Sequence, residues 1–214
     1  MPGAEVHVAE RTTCSNGGTP TKVHMGADSW SMCRSAAHRQ ARRMTQRGIT
    51  DHTPIVGDYR IDQTRSKIKF VTRHMLGLAK VRGTFQLREG YIYVADSLEE
   101  SAARATIAAD SIDTRNSVRD TTVCQQYLDV ANYPDIVFAS TGMENTGSGW
   151  VLHGRLTVCG ETRPVDLHIT NVGEGLRVTA TCVVDRYEFG ITKMRGLTGR
   201  RLAFTLEIVA NLST

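Results

Sequence analysis

From Pro54 to the end of the chain, apolar and polar residues alternate with a period of two. Ala79, Val81, Gly83, Phe85 and Leu87 fall on one face, opposite Lys80, Arg82, Thr84, Gln86 and Arg88. Ile68 and Phe70 alternate with Lys67 and Lys69, and Ala103, Ala105, Ile107 and Ala109 with Arg104 and Thr106. The same beat recurs over Trp150–Val158, Val165–Ile169 and Leu176–Val184, and Leu202, Phe204, Leu206 and Ile208 close the chain. Turn signals separate the runs: Arg88-Glu-Gly90, Gly147-Ser-Gly149, Cys159-Gly-Glu-Thr-Arg-Pro164 and Gly173-Glu-Gly175. Connections this short make neighbouring strands antiparallel.

About eight such strands, each with one apolar face, have to share one interior. A closed barrel achieves this and leaves no bare edge. The pattern therefore predicts an all-β protein, an eight-stranded antiparallel barrel over residues 54–214. One interruption, Asn116–Gln125, lacks alternation and predicts a short helical insertion, capped by Asp113 or Thr114 and limited by Pro134.

The inward faces are rich in small residues: Ala79, Gly83, Ala103, Ala105, Gly154 and Ala180. Aromatic residues make up only 6% of the chain. Either a cavity remains, suited to an apolar guest, or large side chains on facing strands fill the space. The pattern leaves both open.

Ahead of the barrel the composition changes. Residues 1–53 hold seven Lys/Arg against four Asp/Glu, while 54–214 hold 19 against 18. The first 43 residues contain no Leu, Ile, Phe or Tyr, too little apolar area to offset ordering entropy. Residues 1–53 are expected to be a disordered extension, and a second reading starts translation at Met44. A net charge of +4 is too mild to indicate a nucleic-acid surface. No run approaches the roughly 18 apolar residues of an integral membrane helix. Without a secretion signal, the expectation is a cytoplasmic protein with reduced thiols. Its five cysteines are widely spaced and form no C-x-x-C pair, so neither a metal site nor a cofactor is expected.

Catalytic patterns are thin. No H-E-x-x-H, G-x-S-x-G, P-loop or dinucleotide fingerprint occurs. Arg119 beside Asp120, and Asp185 beside Arg186, read as structural ion pairs or hydrogen-bonded brackets.

The segments Tyr59-Arg-Ile-Asp62, Ser66-x-Ile68-x-Phe70, Arg73-His74 and Lys80-Val-Arg-Gly-Thr-Phe85 resemble the opening of the YceI-like family. Asp110-Ser-Ile-Asp-Thr114 with Arg119-Asp120, Tyr133-Pro134 with Phe138-x-Ser140, His153-Gly, Gly160-x-Thr162-x-Pro164-Val165 and Asp185-Arg-Tyr-Glu-Phe-Gly190 follow in the family's order. The resemblance covers about residues 57–211. It implies a lipocalin-like barrel that holds a polyisoprenoid or fatty amphiphile, often as a homodimer. It places Phe70, Phe85, Phe138 and Phe204 along a tunnel and His74 near its mouth. Trp150 and Ala105, on inward faces, complete the expected ligand-binding set. After Asp120 the family continues with a histidine, whereas this chain has Thr121.

The leading functional reading is thus a non-catalytic carrier or store for an isoprenoid or other long-chain lipid. The alternatives are a small-molecule enzyme using His74 with Asp120 or Asp185 at the barrel mouth, and a packed barrel serving as an interaction module.

Overall fold

A computed structural model describes residues 54–74, 78–173 and 175–213. The expectations for residues 1–53 lie outside the described residues. The all-β, antiparallel reading holds for the rest, and no described helix is long and apolar enough to cross a membrane.

Ten strand segments build the wall. They are β1 (Gly57–Ile61), β2 (Lys67–His74), β3 (Ala79–Phe85), β4 (Leu87–Val94), β5 (Ala102–Ala108), β6 (Asp135–Asn145), β7 (Trp150–Val158), β8 (Glu161–Gly173), β9 (Arg177–Asp185) and β10 (Arg201–Leu212). Strands β4 to β10, without interruption, pair each with the next, and β1 bridges β4 and β10 to close a ring of eight. Full closure satisfies the backbone donors of the ring strands within the sheet.

The two extra segments are continuations. Along β10, Ala210–Leu212 pair with β1, and Ala203–Glu207 pair with β2. β1 and β2 form one course interrupted by a turn, where Asp62 Oδ1 accepts the N–H groups of Thr64 and Arg65. The run Ala79–Leu87, continuous in sequence pattern, likewise divides at Gln86. Before it β3 pairs with β2; after it β4 pairs with β1 and β5. A two-residue hairpin, Cys159-Gly160 with φ of 50° and 78°, joins β7 to β8, the geometry that matches strand twist.

The insertion falls where the sequence places it. Helix α1 (Ser117–Thr122) runs on through a wider helical turn, Val123–Tyr127. Its cap is a correction: Asn116 (φ −148°) accepts from the Arg119 N–H at 3.0 Å, whereas Asp113 and Thr114 serve elsewhere. The outer edge of β3 meets this insertion, and Thr84 and Asp113 exchange backbone hydrogen bonds of 2.9 and 3.0 Å. The insertion therefore stands beside β3 and forms one side of the barrel mouth.

The buried core runs down the interior from Tyr59, Ile61 and Val94 to Phe70, Phe85, Leu128 and Phe189. Inward and outward faces follow the alternation of the sequence, as in β3, where Gly83 and Phe85 are buried between exposed Lys80, Arg82 and Thr84.

Candidate ligand-binding site

A chamber of about 220 Å³ occupies the barrel interior. Apart from Arg104 and Arg186, every residue of its wall is apolar. All ring strands except β1's outer half reach it: Ile61, Leu87, Ala105, Phe138, Leu156, Leu167, Cys182 and Phe204 are representative. Such a space exceeds the about 150 Å³ at which engineered apolar cavities stay dry and accept a guest the size of benzene.

The small inward residues other than Ala79, which lines neither cavity, divide into two groups. The Phe70 ring lies over Gly83, where a Cβ would come within 2.5 Å of Cζ, and the Phe138 ring covers Gly154 in the same way. Here large and small interdigitate and the space is filled. Ala103, Ala105 and Ala180 instead border the chamber. The packed and the hollow expectations each hold, for different strands.

A second cavity of about 450 Å³ adjoins the chamber and shares with it Phe85, Leu128, Arg186, Ile191 and Leu202. Its wall is mixed: Phe70, Val81 and Tyr127 stand with Thr72, His74, Asn116 and Arg119. The two spaces make an apolar chamber that leads into a mainly apolar mouth, bordered by a few polar side chains, between the insertion, β2 and the loop 190–200.

The polar groups at the mouth are held firmly. Arg119 and Asp120 form a bracket through a third residue: both Asp120 oxygens accept from the Thr114 N–H at 3.1 Å, and Oδ1 accepts its hydroxyl at 2.5 Å. The Arg119 guanidinium donates to the Thr114 hydroxyl at 2.7 Å and carbonyl at 3.1 Å. Asp185 and Arg186 also act as hydrogen-bonded brackets, though not with each other. Asp185 pairs with Arg200 at 2.5 Å and accepts from the Tyr187 N–H. Arg186, only 5% exposed, donates to the carbonyls of Ile191, Thr198 and Gly199 and lies 4.9 Å from the Tyr187 ring centroid. Carbonyl dipoles and aromatic faces stand around this buried guanidinium where water would otherwise be.

His74 ends β2, opposite Ala79 and bridged to Thr198, and lines the mouth. Neither Asp120 nor Asp185 is hydrogen-bonded to it, since both carboxylates are engaged as above. Trp150 is a second correction. It stands at the start of β7, paired with Asn145 and Ile169, and is not part of the wall of either cavity. Its cross-strand partner Ile169 and the next inward residue of its strand, Leu152, both line the chamber, whereas Trp150 itself does not.

Sequence reasoning passed over Leu128 and Ile191, which line both cavities. They sit in the insertion and in a loop, where no period of two marks an inward side.

Two thiols and the outer histidine have shifted pKa values. Burial pushes the Cys182 thiol up to about 11, and burial with Asp110 and Asp120 raises Cys124. On the outer wall His153 contacts Asp166 at 2.7 Å and Glu144 at 3.3 Å, which raise its pKa. Among the described residues no cluster has the make-up of a metal site.

Fold and chamber define a closed, lipocalin-like β-barrel with an enclosed apolar interior. The chain belongs to the YceI-like family: residues 59–211 match the YceI-like domain. Protein YceI of Salmonella arizonae is 30% identical over 132 residues, covering 59% of this chain and 68% of that relative. Among solved structures, BcnA of Burkholderia cenocepacia superposes with a TM-score of 0.63 at 18% identity, over 69% of this chain and 98% of that one. A polyisoprenoid-binding domain from Saccharophagus degradans, implicated in plant cell wall breakdown, gives 0.56 at 14% identity, over 72% and 98%.

Proposed function

We propose that this protein binds, and thereby carries or stores, an isoprenoid or other long-chain amphiphilic lipid. The chain would occupy the central chamber and the polar end the mouth beside His74 and Arg119. The observation that carries this reading is the apolar chamber opening into a mainly apolar cavity that a few polar side chains border. A structural neighbour described as a polyisoprenoid-binding domain supports the same ligand class.

The carrier reading needs no general base, and the occupied state of Asp120 and Asp185 favours it over proton-transfer chemistry at His74. The test is mass spectrometry of lipid extracted from the purified protein. One defined prenyl or acyl species near one per chain is the expected result. The absence of any retained lipid, together with no uptake of added prenols, would overturn it. Turnover of a prenyl or acyl ester, lost in His74→Gln, would replace it with the enzyme reading.

A further inference from the structure

The rim around the mouth carries a pattern that lipid binding inside the barrel does not require. Leu78, Val118, Met194 and Leu197 are exposed, at 87, 77, 49 and 47%. They gather at one end of the barrel. Val118 and Met194 stand on the lip of the mouth cavity. Leu78 and Leu197 each adjoin a residue bonded to His74 in the wall: Ala79 is its strand partner, and Thr198 its bridge partner.

The charge at this end is one-sided. Neither 67–88 nor 189–206, the stretches that form two sides of the mouth, contains an Asp or Glu. Lys80, Arg82, Lys193, Arg195 and Arg201 are all exposed there. Of the nearby carboxylates, Asp120 is engaged by Thr114 and Asp185 by Arg200, while Asp113, which accepts the Arg115 N–H, and Glu188 are exposed.

We propose that the mouth end docks on an anionic lipid bilayer, with the apolar rim entering the headgroup layer and the basic residues meeting the lipid phosphates. The proposal rests on the lipid-carrier reading. A long apolar chain does not cross water readily, so a carrier exchanging it gains from seating its opening against the membrane. Isolated apolar side chains ringed by Lys and Arg fit this surface; a protein partner would be met by a more continuous apolar patch.

The experiment is co-sedimentation of the full chain with vesicles of phosphatidylcholine, with and without phosphatidylglycerol. Two double variants outside the cargo cavities are compared, Lys80→Glu/Lys193→Glu and Leu78→Ser/Leu197→Ser. Their melting temperatures report folding, and uptake of a fluorescent farnesol analogue from vesicle-free solution reports cargo binding. The expected result is binding that needs phosphatidylglycerol, weakens with salt and falls roughly tenfold or more in either variant, with analogue uptake unchanged. Equal binding to both vesicle types, or parent-like binding by both variants when folded, would overturn the docking surface. Failure of the parent to take up the analogue would strike the carrier reading instead, leaving the vesicle comparison to decide docking.

Discussion

The ring of Phe138 on β6 lies across Gly154 on β7, in the space a Cβ at that position would claim. On the opposite wall Phe70 and Gly83 are direct cross-strand partners with the same relationship. These pairs let two large rings lie flat along the wall and leave the centre of the barrel open.

Gly154→Ala is therefore expected to destabilise the barrel by about 1–3 kcal/mol, because the new methyl meets the ring and the Ala139 carbonyl, which cannot both move. Gly142→Ala, on the same strand as Phe138 with open space around it, is the control and should stay within about 0.5 kcal/mol. Urea denaturation of the two variants measures the difference.

Ala105 pairs with Phe138 across β5 and β6 and borders the chamber. Ala105→Phe should abolish uptake of a prenol while the melting temperature holds, since the ring takes up guest volume. Loss of about 1–3 kcal/mol of stability instead would mark a wall without room for it. Calorimetric binding and thermal melts on one preparation separate the two.

Cys182 makes stability depend on alkaline pH. The unfolded thiol loses its proton near 9.0, whereas the folded one holds it to about 11. Below 9 both states are protonated and the buried thiol's contribution is whole. From 9 to 11 the unfolded state is favoured increasingly, by up to about 2.7 kcal/mol. Cys182→Ala should remove that part of the slope, as read from denaturation midpoints at pH 8 and 10.5 compared with the parent.

His153 has the opposite neighbours, Asp166 and Glu144, and both raise its pKa. Its charged form is favoured in the folded state, so its contribution is present below the unfolded value of 6.5 and fades as pH rises through the folded one. An NMR titration of the ring should give a midpoint above 6.5, and Asp166→Asn should bring it down. A parent midpoint at or below 6.5 would show that the two carboxylates do not act on it.

The barrel was legible because period-two alternation is a local property. A residue's face follows from its neighbours two positions away, and Gly83, Phe85, Leu156 and Phe204 went inward on that rule alone. The polar brackets were legible only in part. Arg119-Asp120 acts as one through Thr114, and Asp185 and Arg186 as two, Asp185 through Arg200 beside β10 and Arg186 through the carbonyls of Ile191, Thr198 and Gly199.

What the sequence by itself determined is the set of inward side chains, the antiparallel order of short-looped strands and the place of one helical break. Whether those inward side chains meet was decided by the tertiary structure. Register set Phe138 over Gly154 and filled that space, and set Ala105 and Ala180 around the chamber. Trp150 stays out of the chamber wall although its partner Ile169 is part of it, and the insertion and a loop brought Leu128 and Ile191 in. Volume is a property of several strands at once, and no single strand's alternation contains it.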